Sequence, residues 1–589
     1  MNTPCPIYFG PAARPLFGLL HASQSSIPPR VGLLICNPLG YDAICSHQTT
    51  RQLASSAAAC GIPALRFDYD GTGDSAGDDT DPDRLQAWID SVREAIECLR
   101  STAKVDSVCI LGIRLGATLA LLASQSRTDV SGLVLINPVT SGRRYLRELR
   151  ALGATSSAIV TEASTPADIQ EAAGFISTAS TRESLGALML SREQLHTVPQ
   201  HTLILDRTDL PVDGSLATLL EAMGSVVHRM AMPGYAAMLR DAQDAVVPTD
   251  SIGQVLQWLQ EWSGASAPAS VSGPVPIVSE SLCQANMGGL RERVVNLGSD
   301  TPVFGIVTEP EGGPRDAPTL LLLNAGAVHH IGPNRLYVQF ARHLARRGIR
   351  VARIDLPGLG DSPATPGQPE HRIYLDGAEQ VIAQVVESLR TELAAGEIHC
   401  AGICSGAYHS LKAAGAGVPL DSVIVINPLT FFWRPDMSLE APAFKDIAEV
   451  MRYRRTALSA KSLRKLLTGR VDLLNLAGIF SRFALRRARS IGRQVCRMAG
   501  ISIGDDLVIE LRRIQRRGTR MHFVFARSDP GYSLLRDDAG SEIGRLTALG
   551  ALTISFIEDA DHTFTPFPSQ VRLIELVTAI LTGQPPLLS

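Results

Sequence analysis

Apolar residues along the chain follow two alternating rhythms. Short unbroken runs such as "VGLLICN", "SVCILG", "GLVLIN" and "HTLILD" have the length and aliphatic content of strands buried on both faces. Between them lie longer stretches such as "HQTTRQLASSAAACG" and "PDRLQAWIDSVREAIECLRS", where apolar positions recur at helical spacing. Strand and helix in alternation predict a mostly parallel sheet with helices on both faces. Two strand-like segments joined by turn residues open each half and predict an antiparallel edge.

The pattern occurs twice. "PLFGLL" at 15–20 answers "PVFGIV" at 302–307, "RFDYDGTGDS" at 66–75 answers "RIDLPGLGDS" at 353–362, and "VLINPVT" at 134–140 answers "VIVINPLT" at 423–430. Offsets of 287 to 290 run through the whole chain, which makes it a tandem repeat of one large unit. The stretch "SGASAPASVSGPVP" at 263–276 has the Ser, Ala, Pro and Gly content of a linker. Residues 1–262 and 277–589 are therefore the expected domains, with a helical insertion at about 431–517 in the second.

The repeat differs where chemistry is expected. "GIRLGATLA" (112–120) and "GICSGAYHS" (402–410) share the frame Gly-Ile-x-x-Gly-Ala, but one centres on Arg114 and the other on Cys404. Strand, Gly-x-nucleophile-x-Gly, then helix resembles the nucleophile elbow of the α/β-hydrolase superfamily. "DLPGLGDS" is similar to the loop after the fourth strand in that superfamily. The resemblance covers nearly all of both halves and implies two tandem α/β-hydrolase folds. More narrowly, the paired boxes, the "NP" dipeptides and "DHTF" resemble small hydrolases associated with exosortase systems.

Carried onto the second half, the resemblance implies Cys404 as nucleophile, Asp529 in "RSDPG" as acid and His562 in "EDADHTF" as base, in the superfamily's chain order. Asp559 and Asp561 compete with Asp529 for the acid's place. The histidine would take and return a proton while the acid fixes its tautomer. An oxyanion would be met by the backbone N–H of Ser405 and by the loop "NAGA", through Ala325, Gly326 or Ala327. His329 and His330 follow that loop and could contact substrate, although a loop histidine is more often a surface residue. A cysteine can equally be a buried small hydrophobe, as expected for Cys36 and Cys109 in strand runs.

In the first half Tyr235 stands where the base should be, and only Asp209 survives. Arginine has no lone pair to offer, so this half is expected to be catalytically dead. It is either a scaffold or a half in which Arg114, at a helix N-terminus, binds an anionic group.

Composition adds limits. With 589 residues and a formal net charge of −3, no general nucleic-acid or membrane role is indicated. Neither a signal-like start nor an apolar span is present, so a cytoplasmic location and no integral membrane segment are expected. Ten cysteines without a CxxC pair suggest reduced thiols, with neither metal site nor cofactor. The exception is local: residues 445–517 carry 18 Lys and Arg against six Asp and Glu. A basic roof, with Arg486, Arg487 and Arg489 on it, suits an anionic thioester donor, an acyl carrier protein's phosphopantetheine or coenzyme A. The bland alternatives are a solvated face with salt bridges, or contact with anionic lipid.

A cysteine ester exchanges readily with other thioesters and is discharged by amines or alcohols. The site resembles that of polyhydroxyalkanoate synthases, which use Cys, Asp and His on thioesters, and that of dienelactone hydrolases, where a cysteine hydrolyses. The expectation is acyl transfer through Cys404 to a small-molecule acceptor. Water as acceptor, giving a thioesterase or esterase, and a non-catalytic binding protein remain alternatives.

Overall fold

In the computed structural model the protein is described over residues 4–25, 28–156, 168–263, 280–434, 437 and 505–584. The apolar runs are strands. In the first half these are β1 (Cys5–Phe9), β2 (Leu16–His21), β3 (Val31–Cys36), β4 (Ala64–Phe67), β5 (Ser107–Ile113) and β6 (Val130–Ile136). A small hairpin, β7 (Ile169–Ala172) and β8 (Phe175–Thr178), precedes β9 (His201–Arg207) and β10 (Val226–Met232). Eight of them form one sheet in the order β1-β2-β4-β3-β5-β6-β9-β10. The expected antiparallel edge is there: β1 and β2 pair antiparallel, as do β2 and β4, and the remaining pairs are parallel.

The second half repeats this with one strand more. Its strands are β11 (Gln284–Met287), β12 (Leu290–Leu297), β13 (Val303–Pro310), β14 (Thr319–Leu323), β15 (Arg350–Ile354) and β16 (Ile398–Ile403), then β17 (Ser422–Ile426), β18 (Arg520–Ala526) and β19 (Leu552–Ile557). They pair as β11-β12-β13-β15-β14-β16-β17-β18-β19. Central residues such as Leu33, Leu34, Leu320, Leu321 and Val425 are fully buried, because helices cover both faces. Among the described residues no helix is long and apolar enough to cross a membrane.

The halves meet through equivalent residues. Arg66 donates to Asp361 and Arg353 donates to Asp74, each at 2.5 Å. Positions 66 and 353, like 74 and 361, are 287 apart, so each half presents the same arginine and aspartate to the other. This is the isologous geometry of a two-fold dimer, here within one chain. His330 adds a second clasp, its Nδ1 bonding Asp355 at 2.8 Å and its Nε2 bonding Asp74 at 2.7 Å. Burial opposes a charge on His330, but Asp355 and Asp74 outweigh it and push its pKa up to about 10. Arg335 completes the junction by donating to the carbonyls of Gly71, Gly73, Ser75 and Gly77.

Candidate active site

β16 runs into the helix Ser405–Ala416 through a single residue, Cys404, held at φ 59° and ψ −113°. A non-glycine residue at positive φ is strained, and the surroundings fix it there. Cys404 N–H donates to Ile426 O on β17 at 3.1 Å, and the preceding Ile403 N–H donates to Tyr337 Oη at 3.1 Å. The turn needs glycine at Gly406, where a Cβ would lie 2.7 Å from the carbonyl oxygens of both Leu323 and Asn324. Strand, turn and helix therefore raise the Cys404 sulfur at the end of the sheet.

Two loops after β18 and β19 bring in Asp529 and His562, the expected acid and base. His562 Nδ1 donates to Asp529 Oδ2 at 2.6 Å, and Asp529 Oδ1 accepts Gly531 N–H at 2.8 Å. Asp561 caps its own turn by accepting Thr565 N–H, so Asp529 is the partner rather than Asp561 or Asp559. Burial works against a charged His562, but the attraction of Cys404 and then of Asp529 holds its pKa well above the ordinary histidine value. Its buried Nε2 has no hydrogen bond among the described residues, which leaves that nitrogen to the sulfur and to what reacts there.

The loop after β14, where the oxyanion donors are expected, is tied to the elbow. Gly326 N–H donates to Ser405 Oγ at 2.9 Å, so the Ser405 hydroxyl is structural and the Gly326 donor is spent. As the first residue of its helix, Ser405 has a backbone N–H without an intrahelical acceptor. With Gly326 spent, Ser405, Ala325 and Ala327 remain as the expected donors.

Two residues at the site were not singled out from the sequence. Tyr374 is buried, and its phenol is kept protonated well above the ordinary tyrosine value by burial, then by the charge of Cys404. Its ring stacks on Trp433 with centroids 4.1 Å apart and meets Tyr408 edge-on. Asn427 bonds the His562 carbonyl through Nδ2 at 2.7 Å and accepts Ala526 N–H at 2.8 Å. The repeated "NP" box contained a signal for Asn427; nothing local marked Tyr374.

Other expected site residues lie elsewhere. His330 is not free for substrate, since both ring nitrogens are bound at the domain junction. His329 is buried and stacks on His47 of the first half at 4.0 Å. Arg114 has the elbow geometry, φ 56° and ψ −121°. Its guanidinium is already engaged by Glu148 at 2.6 Å and Asp42 at 3.4 Å, which neutralises it as an anion site. Tyr235 Oη accepts from Asn137 at 2.6 Å, and Asp209 pairs with Arg207. Arg486, Arg487 and Arg489 fall outside the described residues. At the described end of the basic insertion, Arg512 pairs with Glu542 and Arg517 donates to the Gly415 carbonyl at the end of the elbow helix.

The first half also reaches the second half's site. His371, three residues before Tyr374, is hydrogen-bonded to the Ala242 carbonyl. Ala242 is packed in the core that contains Leu323, Ala327 and Ala407.

Residues 44–251 match the family model described as Serine aminopeptidase, S33, and residues 320–574 match the one described as Alpha/beta hydrolase family. No curated protein matches the chain. Similar solved structures include a lidless α/β serine hydrolase of Xanthomonas campestris, 15% identical, covering 46% of this chain and 98% of its own, with a TM-score of 0.29. Dienelactone hydrolase from Anabaena variabilis is 11% identical over 50% of this chain and 98% of its own, with a TM-score of 0.30. Est1E of Butyrivibrio proteoclasticus, solved with ferulic acid, is 14% identical over 43% and 98%, with a TM-score of 0.33.

Proposed function

Because the chain is made of two α/β-hydrolase domains in tandem, we propose that the second moves acyl groups through a thioester formed on Cys404. The observation that carries this reading is the Asp529–His562 pair, bonded at 2.6 Å and interacting with an elbow cysteine. The Cys404 proton already rests on His562 Nε2, in keeping with the raised His562 pKa, and the sulfur attacks the donor carbonyl. N–H groups of Ser405 and of Ala325 or Ala327 stabilise the oxyanion. As the carbonyl re-forms, the bond to the donor's leaving group breaks and His562 protonates that group. An acceptor then gives its proton to His562 and takes the acyl group, and the sulfur leaves.

The donor proposed is a thioester of a carrier protein or coenzyme A. A cysteine exchanges thioester for thioester at little free-energy cost, and the excess of arginine and lysine over residues 445–517 suits a phosphate-bearing carrier. The acceptor proposed is an amine or alcohol. Superfamily membership favours a second reading in which water is the acceptor. Single-turnover kinetics separate the two. With a short-chain acyl-coenzyme A, acyl-enzyme that persists in water and discharges on adding an amine or alcohol supports transfer. Discharge in water at the same rate with and without acceptor makes the protein a thioesterase.

A further inference from the structure

The first domain lost the nucleophile and base but kept a cavity. It measures about 140 Å³ and is bounded by Asn37 and Leu115, the positions 287 and 290 residues before Asn324 and Ser405. In the second domain those two residues flank the loop where the oxyanion donors are expected. Arg114 has turned aside to Asp42 and Glu148. The rest of the lining is largely apolar and aromatic, with Trp88, Leu146 and Phe175 in it, and His329 closes it from the second domain.

Among the described residues, three polar atoms of the lining have no hydrogen-bond partner. Trp88 Nε1 is a donor, Asn37 Oδ1 an acceptor, and His329 Nδ1 is either. Trp88 is 8% exposed and His329 9%, and a buried polar group left without a partner is costly. Burial, then repulsion from His47 and His330, keeps His329 neutral, its pKa well below the ordinary value. Burial pushes the two lining carboxyls, Asp68 and Asp79, up to about 7, and the lining guanidinium of Arg335 is taken up by the carbonyls of Gly71, Gly73, Ser75 and Gly77.

We propose that the first domain binds a small neutral molecule in this cavity, an apolar body about the size of a benzene ring bearing one hydroxyl. A hydroxyl is the smallest group that both donates and accepts, and so can answer a donor and an acceptor of the wall. The site is separate from Cys404 chemistry and does not rest on it. It gives the catalytically disarmed domain a binding role of its own.

Saturation-transfer NMR on the full chain, with benzyl alcohol, benzoate and benzylamine as probes, tests this. Benzyl alcohol is expected to show transfer in the parent and in Cys404→Ala, and to lose most of it in Leu146→Trp, which fills the cavity. Leu149→Trp, at a less buried position of the same wall, serves if Leu146→Trp fails to fold, with circular dichroism and melting as the check. Absence of transfer in the parent, or transfer that survives both fillings in folded protein, overturns the site. Benzoate or benzylamine transferring as strongly as the alcohol overturns the neutral class.

Discussion

Arg114 and Cys404 occupy the same backbone turn, with φ and ψ of 56° and −121° at one and 59° and −113° at the other. Each donates its N–H to the neighbouring strand, Arg114 to Ile136 and Cys404 to Ile426. The duplicated strand, turn and helix thus hold a strained conformation in both halves although one centres on an arginine and the other on a cysteine. Cross-strand bonds and close glycine packing hold the turn independently of what the side chain does.

Arg114→Ala is expected to leave acylation of Cys404 within a few-fold of the parent, because no group of the second site touches it. It should lower stability by about 1–3 kcal/mol, since Asp42, whose pKa burial already raises, loses its cation. Thermal melting and single-turnover rates read the two effects separately. A large loss of rate in folded Arg114→Ala contradicts this division.

His562→Ala should slow acylation by about 10²–10⁴-fold. Asp529→Asn should slow it less, since the acid orients and stabilises the base. Single-turnover rates check both; parent-like acylation in Asp529→Asn would show that the 2.6 Å bond to His562 is only structural.

Tyr374→Phe removes one hydroxyl and no ring, so stacking on Trp433 should survive and melting should stay near the parent's. Acylation should fall by about tenfold, equivalent to one pKa unit of interaction, since the buried phenol has no hydrogen bond among the described residues and acts on Cys404 electrostatically. Unchanged acylation would make Tyr374 a packing residue.

The domain clasp should weaken at alkaline pH. His330 has a folded pKa of about 10 against 6.5 for the free side chain, so its contribution is complete below about 6.5 and is lost as pH rises through 10. Melting temperature is expected to fall by several degrees between pH 7 and 10, and His330→Gln should start lower and give a flatter profile. An equal slope in that variant would place the alkaline loss elsewhere.

The repeat and the mostly parallel sheet with its antiparallel edge were legible because each is written in local periodicity or in a boxed motif, and the acid-to-base chain order followed from the superfamily resemblance. The junction was not. His330 and Asp74 lie 256 positions apart, and "VHHIG" gives no local hint that both nitrogens of His330 are bound. Tyr374 was hidden for the same reason: it precedes the helix Ala378–Thr391 in a loop with no motif, and only folding sets it against Cys404. Gly326 was expected as an oxyanion donor from the superfamily resemblance of its loop, yet the neighbouring Ser405 hydroxyl takes that N–H.

The most direct test of the central claim is intact-protein mass spectrometry after mixing the protein with a short-chain acyl-coenzyme A, followed by peptide mapping. A single added acyl mass on the peptide containing Cys404, absent in Cys404→Ala and strongly reduced in His562→Ala, is the predicted result. An adduct that maps elsewhere, or turnover undiminished in Cys404→Ala, would contradict it.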